Sequence, residues 1–264
     1  MTNDPSETCY MCDSPATSRE HVPPLCLFPK ASELGTDYRK NLVSVPSCDK
    51  HNCRKSTDDE FLMVSLAGTF GSNSVGQQHR WTKVERAIRR SSLNLLKCAS
   101  LQQQWKQIVV NENEIVHFLF GTPDTLRFKR CFDHIARGLY YDTFGQKFDG
   151  NTSTFLGFTL PGTKNASETQ RLICDRVQVE LQDAPKMGDN PDVFTYRFSK
   201  PDHNNISYIH IEIYGLNIYV SLQPSNAAKP FDLGFMLAQS GIRTTIEFGD
   251  EKYEFNEDQQ GNAE

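Results

Sequence analysis

The hydrophobic positions of this chain follow three rhythms. Up to residue 60 the apolar positions are few and the periodic stretches short. Asn41-Leu42-Val43-Ser44-Val45-Pro46 alternates as a half-buried strand does. Arg19-Glu20-His21-Val22 reads as the end of another extended run, stopped by Pro23 and Pro24. Residues 58–108 are helical in rhythm. Asp58, Asp59 and Glu60 sit where a helix start favours acids, residues 68–76 form a loop, and Trp81, Val84, Ile88, Leu95 and Leu96 then recur at helical spacing. Residues 109–255 mix both periods: a strand at 115–120, then a helix at 124–145 with Leu126, Phe128, Phe132, Ile135, Leu139 and Tyr140 as its apolar set. Further strands are predicted at 154–160, 171–181, 193–198, 207–214 and 216–222, the last two joined by a hairpin turn around Tyr214-Gly215. The final dozen residues are polar and expected to be disordered. The predicted class is α+β: an N-terminal unit at 1–60, a helical connector at 61–108, an α+β domain at 109–255 and a tail at 256–264.

Composition fits a globular protein, with 264 residues, 38% hydrophobic and 23% charged, large enough to bury a core without disulfides. No stretch of about 18 apolar residues predicts a membrane span, and the first residues lack the basic start and apolar run of a secretory signal. The expected location is cytoplasmic, where thiols stay reduced, so closely spaced members of the eight cysteines point to metal. A net charge of −5 argues against a nucleic-acid partner until its distribution is considered. Glu247, Asp250, Glu251, Glu254, Glu257, Asp258 and Glu264 face only Lys252 at the C-terminal end, and this stretch accounts for the whole negative balance. Residues 77–100 carry Arg80, Lys83, Arg86, Arg89, Arg90 and Lys97 against Glu85.

Two cysteines two residues apart, Cys9 and Cys12, can reach one metal from a tight knuckle, and Cys48 with His51 repeats the spacing further on. Together they offer a Cys3His zinc site, with Cys53 as the alternative to His51. Cys26, Cys98, Cys131 and Cys174 read as buried thiols.

The order of the Cys9/Cys12 knuckle, Glu20-His21-Val22-Pro23, Asn41-Leu42, the Cys48/His51 knuckle and Asn52-x-x-Lys55 resembles the HNH (ββα-metal) endonuclease family. The resemblance covers Cys9 to about Asp59, under a quarter of the chain. It implies a β-hairpin followed by a helix, with His21 as the general base that activates water and Asn41 as the residue that orients its imidazole. It further implies Glu20 and Asn52 as ligands of a catalytic Mg²⁺ or Mn²⁺, which takes hard oxygen donors and stabilises charge at the phosphorus. Two positions depart from the family's commonest form: Glu20 stands where Asp is more familiar, and His51 where the second knuckle usually ends in Cys. The implied activity is phosphodiester hydrolysis, in DNA first and RNA as the alternative. Stand-alone proteins of this shape resemble bacterial and phage nucleases, some used in antiviral defence.

Arg54 and Lys55, just past the second knuckle, are candidate phosphate contacts, as are Lys83, Arg86 and Arg90, read as the outward face of a helix packed through Trp81, Val84, Ile88 and Leu95. The alternative for these cations is a solvated surface. The C-terminal region carries no phosphate loop, nucleophile elbow or second metal motif, and is read as a surface for a homo-oligomer or a regulatory protein partner. The competing function is a non-catalytic zinc module that binds nucleic acid or protein. His21, Glu20, Asn41 and Asn52 discriminate, because a binding module needs no base beside a metal-binding carboxylate.

Overall fold

A computed structural model describes residues 7–52, 56–91, 94–99, 101–111, 114–159, 164–227, 231–248 and 251–256. The fold is α+β. It begins with an antiparallel pair, β1 (Ser18–His21) and β2 (Ser44–Ser47), in which Glu20 lies opposite Val45 and His21 opposite Ser44. A one-turn helix, α2 (Asp49–Asn52), follows β2 directly; the loop between the strands carries a short helix, α1 (Ala31–Leu34). The chain continues through α3 (Ser56–Ala67), α4 (Ser74–His79), a π turn at Arg80–Val84, α5 (Glu85–Arg90) and α6 (Asn94–Ala99). The expected connector is therefore helical only to Ala99. Residues 101–108 belong to β3 (Leu101–Asn111), which pairs with β4 (Glu114–Thr122).

The centre of the molecule is α7 (Thr125–Phe144). Asp124 caps its start by accepting from the Arg127 amide, and Gly145 ends it at a φ of 67° that side-chain-bearing residues avoid. Its buried stripe is Phe128, Cys131, Phe132, Ile135, Ala136 and Leu139. Leu126, expected in that stripe, is instead 68% exposed, because it falls a residue short of the helical row that Phe128 begins. Three sides of α7 are engaged. Phe128 packs on Phe61 of α3 at 4.8 Å, and Arg127 pairs with Asp58 at 2.7 Å. Gly138 faces Val22 at the end of β1. Arg137 donates to the carbonyls of Phe148 and Gly150 at the start of β5 (Gly150–Leu156).

Gly138 is the closest of these approaches. A Cβ there would lie 2.7 Å from Val22 Cγ2 and 3.0 Å from Cγ1, inside van der Waals contact. Gly138→Ala is expected to cost about 1–3 kcal/mol of stability through overpacking, measured by urea unfolding. Equal stability of the two proteins would mean that α7 does not press on β1.

Beyond α7, α8 (Lys164–Glu180) precedes β6 (Met187–Asn190), β7 (Phe194–Phe198), β8 (Ser207–Ile213) and β9 (Leu216–Pro224). With β5 these form one antiparallel sheet in the order β5-β9-β8-β7-β6. The strand expected at 171–181 is helix α8. Its Ile173, Val177 and Leu181 recur every four residues and pack against Tyr219 and Phe155, whereas Val179, which gives the segment its strand-like alternation, is 70% exposed. The strand expected at 154–160 starts earlier, at Gly150, and Leu160 lies outside the described residues. The β8–β9 turn is present, with positive φ at both Tyr214 (52°) and Gly215 (80°), the geometry that matches the twist of a two-residue hairpin. A tyrosine held there costs about 1–2 kcal/mol. Tertiary contacts offset that cost: Tyr214 is fully buried, its hydroxyl donates to the Leu27 carbonyl, and its Cβ sits where any side chain at Gly76 would have to go.

The chain ends in α9 (Phe231–Gln239) and a hairpin of β10 (Thr244–Phe248) and β11 (Glu251–Phe255), none of which was anticipated. The disorder expected for the final dozen residues therefore does not apply to Tyr253–Asn256. Asn256 donates to the carbonyls of Ala238 and Ile242, and residues 257–264 lie outside the described residues. A single hydrophobic cluster runs from Cys9, Tyr10, Val22 and Leu27 through Phe61, Leu66 and Ile88 to Phe132, Ile211 and Val220. It joins all three segments defined by the sequence rhythms. Among the described residues, no helix is long and apolar enough to cross a membrane.

Candidate metal centre and the His21 strand

The two knuckles meet. Cys9, Cys12, Cys48 and His51 bring their ligand atoms within 4.8 Å of one another. Each knuckle is set by its own backbone. The Cys12 amide donates to the Cys9 carbonyl and the Met11 amide to Cys9 Sγ, while the amides of His51 and Asn52 donate to the Cys48 carbonyl. Tetrahedral zinc, with sulfur at about 2.3 Å and nitrogen at about 2.0 Å, requires ligand–ligand edges of about 3.5–3.8 Å. His51 Nδ1 lies 3.4 Å from Cys9 Sγ, 3.6 Å from Cys12 Sγ and 3.3 Å from Cys48 Sγ, and Cys12 Sγ lies 3.9 Å from Cys48 Sγ. The donor set and its edges fit zinc. Cys53, the alternative fourth ligand, lies outside the described residues, as do Arg54 and Lys55.

Sequence reasoning missed what braces this centre. His134, on α7, sets its ring edge-on to His51 at 5.9 Å. Lys147 donates to the Cys12 carbonyl at 2.7 Å and to Asp13 at 2.9 Å, which draws the Asp13 carboxyl below its usual range. His134 was passed over because it has no partner at ligand spacing along the chain; only folding brings α7 to the knuckles.

Strand alternation divides β1 between two faces. Ser18, Glu20 and Val22 turn toward α2 and α7. Asn52 donates its amide to Ser18 Oγ at 2.7 Å, and Val22 meets Gly138. Glu20 is 6% exposed, and its Oε2 accepts from Tyr10 Oη and Ser47 Oγ, each at 3.3 Å. Burial and the neighbouring Glu20 carboxylate hold the Tyr10 phenol well above its ordinary range, so it stays a donor. Mg²⁺ keeps several waters when bound to protein, so a carboxylate enclosed by two hydroxyls does not fit an open, hydrated Mg²⁺ or Mn²⁺ site shared with Asn52.

Arg19 and His21 occupy the other face. His21 is half-buried, its Nδ1 is buried, and among the described residues its ring accepts or donates no hydrogen bond. Arg19, a cation the sequence reading did not single out, bonds Ser44 across the hairpin and pairs with Glu7 at 3.5 Å. Its position two residues before His21 in a strand is the signal that would have found it. Asn41 does not reach the imidazole. It adopts a φ of 46°, and its amide donates to Asp189 Oδ2 at 2.8 Å, beside a second tie from Asn190 to the Lys40 carbonyl. The β6 strand thus holds the segment that precedes β2.

The loop between β1 and β2 is fixed through three successive carbonyls. Cys26 O meets His79 Nε2 at 3.1 Å and Lys83 Nζ at 3.0 Å, Leu27 O meets Tyr214, and Phe28 O accepts twice from Arg39. Lys83 therefore does not face outward; it is half-buried, and burial lowers its pKa. Arg86 is exposed but ion-paired with Glu33 at 2.6 Å, and Arg90 is exposed. Trp81, expected in the packed row, is 73% exposed. The π turn explains both departures. The buried positions step from His79 to Val84, five residues on, and the wider turn absorbs the extra residue by turning Trp81 out.

Burial of His79 has a pH consequence. Its imidazole is held at about 4 against an ordinary 6.5, chiefly by desolvation, with Lys83 and Arg39 adding to the effect and the Cys26 carbonyl and Glu33 opposing it. Between those pH values the unfolded chain binds a proton that the folded chain does not. Stability therefore falls as pH drops through that window, by up to about 3 kcal/mol. His79→Phe is expected to flatten the fall in urea titrations between pH 6.5 and 4.5, and an unaltered slope would place the proton uptake elsewhere.

Among the described side chains, the remaining cysteines are buried or half-buried thiols. Cys131 lies in the core, burial pushes Cys26 up to about 12, and burial also raises Cys174; the Cys98 side chain lies outside those described. The chain matches no protein-family model, no curated protein and no solved structure.

Proposed function

We propose that this protein is a zinc-stapled endonuclease of the HNH type that hydrolyses phosphodiester bonds in nucleic acid, DNA in the first instance. One observation carries the reading. A β-hairpin and a following helical turn are clasped by a Cys3His cluster, with His21 half-buried at the strand end and its Nδ1 without a hydrogen-bond partner. An imidazole so placed serves to take a proton from water, and Arg19 on the same face offers a cation to the phosphate. Zinc supplies the rigidity of the hairpin. A catalytic Mg²⁺ or Mn²⁺ at Glu20 and Asn52 requires the Glu20 carboxylate to be uncovered, so no step is assigned to such an ion. A role in phage defence belongs to the same proposal and rests on resemblance alone.

The enclosed Glu20 and the engagement of Asn41 by Asp189 favour a second reading, a zinc-stapled binding module without catalysis. Supercoiled plasmid incubated with wild type and with His21→Ala, each with Mg²⁺, Mn²⁺ or EDTA, separates the two. Cleavage by wild type that His21→Ala loses supports the nuclease. Plasmid binding without cleavage under all three conditions supports the module.

A further inference from the structure

Phe70 and Trp81, at 80% and 73% exposure, are the most exposed large apolar side chains among the described residues, and the fold brings their segments together. Phe70 lies just beyond the end of α3 and Trp81 in the π turn. Arg80 links the Trp81 ring to the turn after α3. Its guanidinium sits 5.4 Å from the centre of the Trp81 ring, and its Nε would lie 3.6 Å from a Cβ at Gly68, two residues before Phe70. Glu85 holds Arg80 at 2.6 Å and Arg89 at 2.8 Å, so the cations are ordered along the helix, and Arg89 remains 77% exposed. Arg86 and Arg90 extend the same helix.

Turning a tryptophan out of a helix leaves a large apolar face in water and gains the core nothing. Flat aromatic faces beside ordered guanidinium groups match one chemistry, that of unpaired bases on a phosphate backbone: bases stack on the rings while phosphates meet the arginines. We infer that Phe70, Arg80 and Trp81 form a stacking platform for single-stranded nucleic acid, with Arg86, Arg89 and Arg90 receiving its backbone. The inference rests on the nucleic-acid reading above and names the form of the substrate that this surface takes. It replaces the outward helix face expected at Lys83, Arg86 and Arg90, since Lys83 is committed to the Cys26 carbonyl.

The test is intrinsic fluorescence. Trp81 and Trp105 are the two tryptophans, so Trp105→Phe leaves Trp81 as the reporter. Titration with a 12-nucleotide oligo(dT) is expected to quench Trp81, with affinity that weakens as salt rises. Trp81→Ala and Phe70→Ala, both at exposed positions, are each expected to weaken binding roughly 5- to 150-fold, read by oligonucleotide anisotropy, with melting temperature unchanged. A blunt duplex of equal length is expected to bind without the quench. Binding that survives both substitutions, with no quench, overturns the platform while leaving the nuclease reading intact. Failure to bind oligo(dT) or duplex at low salt, together with an uncut plasmid, overturns both.

Discussion

Removing zinc with a chelator, or replacing Cys48 with Ser, is expected to unfold the N-terminal region. The Cys3His tetrahedron joins two segments that have little apolar content of their own, and structural zinc supplies about 10–16 kcal/mol in small zinc-binding peptides. Whole domains are stable by about 5–15 kcal/mol, so the loss is comparable with everything holding the fold together. One zinc per chain is the expected stoichiometry, falling toward none in Cys48→Ser. Hydrogen exchange of residues 7–52 is expected to accelerate with the loss, α7 following because Gly138, His134 and Lys147 lean on the hairpin and its knuckles. Wild type that takes up no zinc, with Cys48→Ser as stable as wild type in the presence of zinc, would show the cluster to be four neighbouring side chains and nothing more.

The second large effect is expected at His21. Loss of a positioned general base costs roughly 10²–10⁴-fold in rate. Because the His21 ring forms no hydrogen bond among the described residues, its removal should leave melting temperature and zinc content nearly unchanged. That separation of rate from stability is what distinguishes the base from a structural histidine: His79→Phe, by contrast, should alter the pH dependence of stability and spare the rate at neutral pH. Cleavage at equal rates by wild type and His21→Ala would remove His21 from the chemistry.

The Cys3His cluster was legible in the sequence because a knuckle is local. Two donors two residues apart already face one point, and only the meeting of two knuckles needs the fold. The stripe of α7 and the hairpin at Tyr214-Gly215 were legible for the same reason. What could not be read was set by contacts distant in the chain. Glu20 looks like a metal ligand beside His21, yet it is buried with Tyr10 and Ser47 donating to it. Asn41 looks like a partner for the imidazole, yet Asp189 takes its amide from 148 residues away. Lys83 and Trp81 exchanged their expected sides because a single extra residue in one turn shifts everything around it, and a periodicity count assumes that no such residue exists. Val179 misled in the opposite sense, since an exposed valine near a helix end imitates the alternation of a strand.

The covering of the hairpin by α7 has a consequence for how such a protein is made. The strand bearing His21 is synthesised before α7, and its inner face, with Val22 and Glu20, waits for a helix that begins more than a hundred residues later. Until then the β1–β2 hairpin has an apolar side without its cover. A fold assembled in this order is completed only after α7 has been synthesised. The same order means that a fragment ending at residue 60 is a poor substitute for the whole.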